Sequence, residues 1–146
     1  MINYKELHKR TKEYIEEHLP EVLEEMELRN LDAYIDDYVD LDAYRKPRQL
    51  FYQFNAYNFE PLSNESNNAE CTFSIFLTFI GQKSSDLSDA MLVYTMALEM
   101  MFAKSGNSFD GLFDYGIIES TQFYQAAEGD KNKKVAEITF RMNIES

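Results

Sequence analysis

The chain has 146 residues, 45% of them hydrophobic and 27% charged, with a formal net charge of −12. That length and composition describe one globular domain over residues 1–146, large enough for its own core. The excess of acid excludes a broad nucleic-acid face, whose affinity comes from Lys and Arg at phosphates, and it excludes adhesion to an anionic membrane surface.

The N-terminus lacks the apolar region of a signal peptide, and no apolar run is long enough to span a bilayer. A soluble protein kept in a cytoplasm is the expectation. From Asn3 to about Leu28, Leu7, Ile15, Leu19, Val22, Leu23 and Met26 recur at helical spacing among Lys and Glu. This predicts an amphipathic helix with one solvated face. Pro20 predicts a break: the helix ends near His18, or a second short helix starts at the proline.

The segment Asn30–Tyr44 reads two ways. Leu31, Ile35, Tyr38 and Val39 suit a helix face, whereas Ala33, Ile35, Asp37, Val39 and Leu41 alternate as a strand does. Its aspartates, Asp32, Asp36, Asp37, Asp40 and Asp42, invite a calcium site, because hard cations take several oxygen ligands. The spacing fails the EF-hand loop, which needs a glycine at the sharp turn and a closing glutamate, so a solvated acidic face is the simpler reading.

Four extended segments are predicted on composition and alternation: Gln49–Phe59, Cys71–Ile80, Ile117–Ala126 and Val135–Ile144. The polar stretch Pro61–Asn68 connects the first pair as a hairpin, and Glu128–Lys134 connects the second. In the last strand Ala136, Ile138, Phe140, Met142 and Ile144 face inward. Cys71, the single cysteine, excludes an intramolecular disulfide and reads as a small buried side chain.

Between the hairpins, Ser84–Gly106 reads as a mostly buried helix. Leu87, Met91, Tyr94, Leu98, Met101 and Phe102 form its stripe, Asp86 is its expected N-cap, and Gly106 supplies a left-handed stop. The whole is an α+β, two-layer sandwich: a mainly antiparallel four-stranded sheet with the N-terminal helix and a long central helix packed on one face.

No constellation for catalysis is legible. Cys71 has no histidine nearby in sequence, there is no Gly-x-Ser-x-Gly elbow, and the five glycines are not grouped as a phosphate loop requires. His8 and His18 are nearly three turns apart on one helix, too far to share a metal. No catalytic, cofactor-binding or metal residue is therefore assigned, and the chain is not expected to be an enzyme. Tyr34, Tyr38, Tyr44, Phe109 and Phe113 lie in irregular regions, where they serve either as core or as interface contacts. Met100 and Phe102 of the central helix are further candidates for contact with a neighbouring subunit.

The order of elements resembles the tail-terminator and tail-completion (minor tail) proteins of long-tailed phages, including prophage-encoded ones. Three features carry the resemblance: an N-terminal amphipathic helix ending in Glu17-His-Leu-Pro20, the strand Phe73–Phe79 running directly into a long helix, and closure by Ile117-Ile-Glu-Ser-Thr121, a turn and Val135–Ile144. The acidic segment and the loop near Ser63–Asn68 follow no pattern of that family. What the resemblance implies is a structural role without a reaction or cofactor. Such proteins form a homo-oligomeric ring, commonly hexameric, that caps the tail tube and meets head-completion proteins, in the virion or the host cytoplasm. Residues alone leave two other readings: a small acidic binding or adaptor module, and a cation-dependent hydrolase using the Asp32–Asp42 cluster.

Overall fold

A computed structural model describes residues 3–36, 45–61, 67–126, 130 and 132–145. The chain runs α1 (Tyr4–Glu25), β1 (Ala33–Ile35), β2 (Arg48–Pro61), β3 (Asn67–Ile80), α2 (Ser84–Lys104), β4 (Tyr115–Tyr124) and β5 (Lys133–Glu145). The sheet has five strands in the order β1-β2-β3-β5-β4, so the two hairpins meet where β3 pairs β5. The fold is α+β, but the sheet is mixed: β1 runs parallel to β2, with Ala33 opposite Gln49 and Ile35 opposite Phe51. The expected four antiparallel strands are all present. The fifth, β1, falls in the segment that reads as either helix or strand, and over Ala33–Ile35 it takes the strand alternative.

Helix α1 starts at Asn3, whose Oδ1 accepts from Glu6 N at 3.1 Å. It then buries Leu7, Thr11, Ile15, Leu19, Val22 and Leu23 along one stripe. The expected break at Pro20 does not occur, and the helix continues to Glu25. A proline inside a helix costs about 3 kcal/mol. Burying Leu19, Val22 and Leu23 around it returns about 1.5–3 kcal/mol each, so packing outweighs the missing hydrogen bond. Past its last helical residue, Glu25, and the cap at Met26, Glu27 adopts a left-handed φ of 61°; Leu28 N reaches Leu23 O and Glu27 N reaches Glu24 O. That pair of bonds is a Schellman ending, built here without glycine.

Helix α2 starts one turn earlier than its acidic residues imply. Lys83 occupies the N-cap and makes no side-chain cap bond, while Asp86 lies in the first turn. Asp86 therefore acts on the helix dipole and is not the cap. At the other end Gly106 takes φ 71°, with Gly106 N to Ala103 O and Asn107 N to Phe102 O, the expected left-handed stop.

Both helices cover the same sheet face. One core joins Leu7, Ile15, Leu19 and Leu23 of α1, Met91, Leu98, Met101 and Phe102 of α2, and Leu50, Phe73, Ile75, Phe79, Ile138, Phe140 and Met142 of the sheet. Cys71 is fully buried in it. The opposite face carries a small apolar cluster, Phe51, Phe76 and Val135 with Ile35 packed against it.

Candidate interaction surface

The chain 105–113 reverses direction through a tight turn in which Asn107, Phe109 and Asp110 all adopt positive φ. Ser105 fixes it: its hydroxyl donates to Phe102 O at 2.6 Å and accepts from Phe109 N at 3.0 Å. The turn drives Phe109 and Phe113 back under α2, where they are 2% and 1% exposed. Phe109 packs against Tyr14, Phe102 and Phe140 with ring centroids 5.3, 5.4 and 5.9 Å away. These two residues belong to the core and are withdrawn as interface candidates; Phe102, 3% exposed, is withdrawn with them.

Tyr34 is half-buried against the core, and its hydroxyl donates to Asn30 Oδ1 at 2.8 Å. Burial pushes the pKa of its phenol up, with the Glu16 carboxylate adding to the effect. Tyr38 and Tyr44 lie outside the described residues, as do Asp37, Asp40 and Asp42. The two described aspartates of that segment already have partners. Asp32 accepts from Arg48 N at 2.9 Å and faces the Arg48 guanidinium at 3.7 Å. Asp36 binds His8 Nε2 at 3.1 Å and Lys12 Nζ at 2.5 Å.

Two polar clefts open beside α1. One, of about 580 Å³, is bounded by Asn3, Lys5, Glu6, His8, Lys9, Lys12 and Asp36. The other, of about 160 Å³, lies between Tyr14, His18, Glu21, Glu25, Lys104 and Asp110. In the first, the His8 ring lies tilted against Phe54 with centroids 3.8 Å apart and is bound to Asp36; in the second, His18 meets Glu21 at 3.3 Å. Among the described residues neither histidine is hydrogen-bonded to a hydroxyl or thiol, the contact nucleophilic catalysis needs; the Tyr14 ring packs on His18 at 4.2 Å, but its hydroxyl goes to Asp110. Among the described residues no group of three or more His, Cys, Asp and Glu could hold a metal ion, and no helix is long and apolar enough to cross a membrane.

What the surface does offer is apolar. Among the described residues, Tyr4, Leu92, Met96, Met100, Tyr115, Ile117, Phe123 and Tyr124 are large apolar side chains left exposed. All but Tyr4 belong to α2 or β4. Leu92, Met96 and Met100 follow one another at i, i+4 along the outer side of α2. Ser88, one turn before Leu92, donates to Gln125 Oε1 at 2.9 Å, so this end of α2 stands over the end of β4. Strand β4 is the sheet edge.

The sequence held a signal for β4. Tyr115–Tyr124 has one charged residue in ten, Glu119, in a chain where 27% are charged. Compared with protein-family models and with curated proteins, the chain finds no match.

Proposed function

We propose that this chain is a non-catalytic assembly protein that works through contacts between its own copies, in the manner of phage tail terminators. The observation that carries the reading is the apolar surface on α2 and β4, left open in an otherwise strongly acidic chain. Surfaces of that kind mark protein–protein contacts. The order helix, hairpin, long helix, hairpin supports the resemblance to tail-terminator proteins. On that reading the copies form a ring, hexameric by resemblance, that caps the tail tube and meets head-completion proteins. An acidic ring repels the DNA that passes through its lumen. The protein then works in the virion and in the host cytoplasm where virions assemble.

Sedimentation and negative-stain electron microscopy of the purified chain test this. The expected result is a ring-shaped homo-oligomer that halts the growth of tail-tube subunits when added to them. Monomers at every concentration overturn the ring. They leave the second reading, a small acidic module for a basic partner, which the net charge of −12 favours.

A further inference from the structure

We infer that two copies of this chain join edge to edge through β4, antiparallel, about a two-fold axis between Glu119 and Ser120. The inference shares with the proposed function only the need for a second copy. It does not depend on the ring.

The first ground is how little protects this edge. Exposed edge strands are usually kept short or guarded by Lys and Pro. Strand β4 has ten residues and neither Lys nor Pro. Its one charge, Glu119, is held by Arg141 Nη1 at 3.8 Å. A chain of net charge −12 repels its own copies over most of its surface. This strand is where that repulsion is least, and where each Glu119 brought near the axis carries its own counter-charge.

The second ground is the register. On the helix side of β4 stand Gly116, Ile118, Thr121 and Phe123, opposite Met142, Phe140, Ile138 and Ala136 of β5. On the other side stand Tyr115, Ile117, Ser120, Gln122 and Tyr124, opposite Asn143, Arg141, Thr139, Glu137 and Val135. A bulge between Ile118 and Ser120 inserts Glu119, whose carboxylate reaches Arg141 on that same side. A bulge usually twists an edge away from pairing. Here it falls at the midpoint, so the sequence of sides is identical when read from either end. Opposed residues in an antiparallel pair must share a side. Two copies of β4 meet that condition over their full length: Tyr115 faces Tyr124, Gly116 faces Phe123, Ile117 faces Gln122, Ile118 faces Thr121 and Glu119 faces Ser120.

The Gly116–Phe123 pair is informative. A Cβ at Gly116 would stand 2.1 Å from Met142 Sδ, so the thioether fills that space and any larger residue would have to displace it. With no side chain at Gly116, Phe123 of the second copy, 40% exposed in one chain, lies over the glycine backbone beside the Met142 thioether. The opposite end of the sheet offers no such match: among the described residues outside α2 and β4, Tyr4 is the only large apolar side chain left exposed.

Area gives the size class of the contact. Tyr115, Phe123 and Tyr124 are 60%, 40% and 41% exposed and, at about 200 Å² per aromatic side chain, offer about 300 Å² together. A standard interface needs about 800 Å² per partner, and the strand backbone, Ile117 and neighbouring side chains supply part of the rest. The contact is therefore smaller than a standard interface, and the pair is expected to be weak and concentration-dependent. Being two-fold, it does not itself close a polar ring, which needs head-to-tail contacts.

Cross-linking tests it. In an Ile117→Cys/Gln122→Cys double variant the two positions lie roughly 16 Å apart within one strand, beyond disulfide reach, but face each other across the pair. Mild oxidation at tens of micromolar should give a covalent dimer as the main product, with neither single variant doing so. Absence of the dimer, or a ladder of trimers and larger species, overturns the inference. A second measurement is independent of oxidation. Ile117→Lys should shift a sedimenting dimer to monomer with its circular dichroism unchanged; a dimer that persists, or a wild-type chain that stays monomeric at 100 µM, also overturns it. Rings without the cross-link would retain the proposed function and reject this contact, and cross-linked dimers without rings would do the reverse.

Discussion

The Tyr14 hydroxyl donates to Asp110 Oδ2 across 3.0 Å, joining the middle of α1 to the turn that follows α2. Asp110 can point there because its own φ is 56°, so the backbone conformation and the bond depend on each other. Burial, and then the hydrogen bond to the Asp110 carboxylate, push the Tyr14 phenol up to about 12. Its folded pKa lies above the unfolded value near 10, so the bond's contribution is complete at neutral pH and is lost as pH rises toward 12. Tyr14→Phe should cost about 0.5–1.5 kcal/mol at pH 7, measured by urea unfolding, and the loss should shrink above about pH 11.

Phe109 separates core from interface by measurement. It packs against five aromatic rings, those of Tyr14, Phe73, Phe102, Phe113 and Phe140. Phe109→Ala should lose about 3–5 kcal/mol of stability, the cost of a large cavity in a packed core. An interface residue would instead lower association and leave the urea midpoint of the free chain in place.

The same residue shows how far the sequence could be read. Period-two alternation located β5, where Ala136, Ile138, Phe140 and Met142 are all buried on one face, and helical spacing located both helices. Those patterns are local. The sequence marks a loop here, but whether Phe109 and Phe113 turn into the core depends on positive φ at Asn107, Phe109 and Asp110, none of them glycine, and composition left that open. Pro20 is tolerated because of what lies on either side of it in space, and a propensity argument does not weigh that. On the candidate surface, the low charge of β4 was legible. The bulge at Glu119 was not, since it exists only in relation to the register with β5.

Asp36 is the group through which acid should act on the tie between the end of β1 and α1, where it meets His8 and Lys12. Burial opposes its ionisation, but hydrogen bonds from Lys12 and His8 together outweigh that effect and hold its pKa below the ordinary carboxylate value. A depressed folded pKa gives stability that is present above the unfolded value of about 4 and is lost as pH falls through the folded one. Tm measured from about pH 6 down to about pH 2 should therefore fall less steeply for Asp36→Asn than for the wild type. Equal slopes would show that the ion pairs at Asp36 contribute nothing, as many exposed pairs do.

Cys71 should be chemically silent in the folded chain. Burial pushes its thiol up to about 12, against a smaller opposing effect from the hydrogen bond to Tyr57. At pH 8 only about one thiol in ten thousand is ionised, and the thiolate is the reactive form. A thiol reagent should label native protein only as fast as the core opens, and should label it completely within seconds in denaturant. Rapid labelling of the native chain would mean that the β2–β3 end of the core opens locally.

The stripe on α2 should separate folding from association. Leu98 is fully buried and Leu98→Ala should cost about 2–5 kcal/mol. Met96 lies on the outer side of the same helix, 56% exposed, and Gln has nearly the helix propensity of Met. Met96→Gln should therefore stay within about 0.5 kcal/mol of the wild type when urea unfolding is followed at a concentration where the chain is monomeric. If copies cover this stripe in an assembly, the same variant should unfold earlier than the wild type only as concentration rises, because association stabilises whatever state it binds. A loss that is large and independent of concentration would place Met96 in the core of the single chain, and the outer side of α2 would then cease to be a surface for assembly.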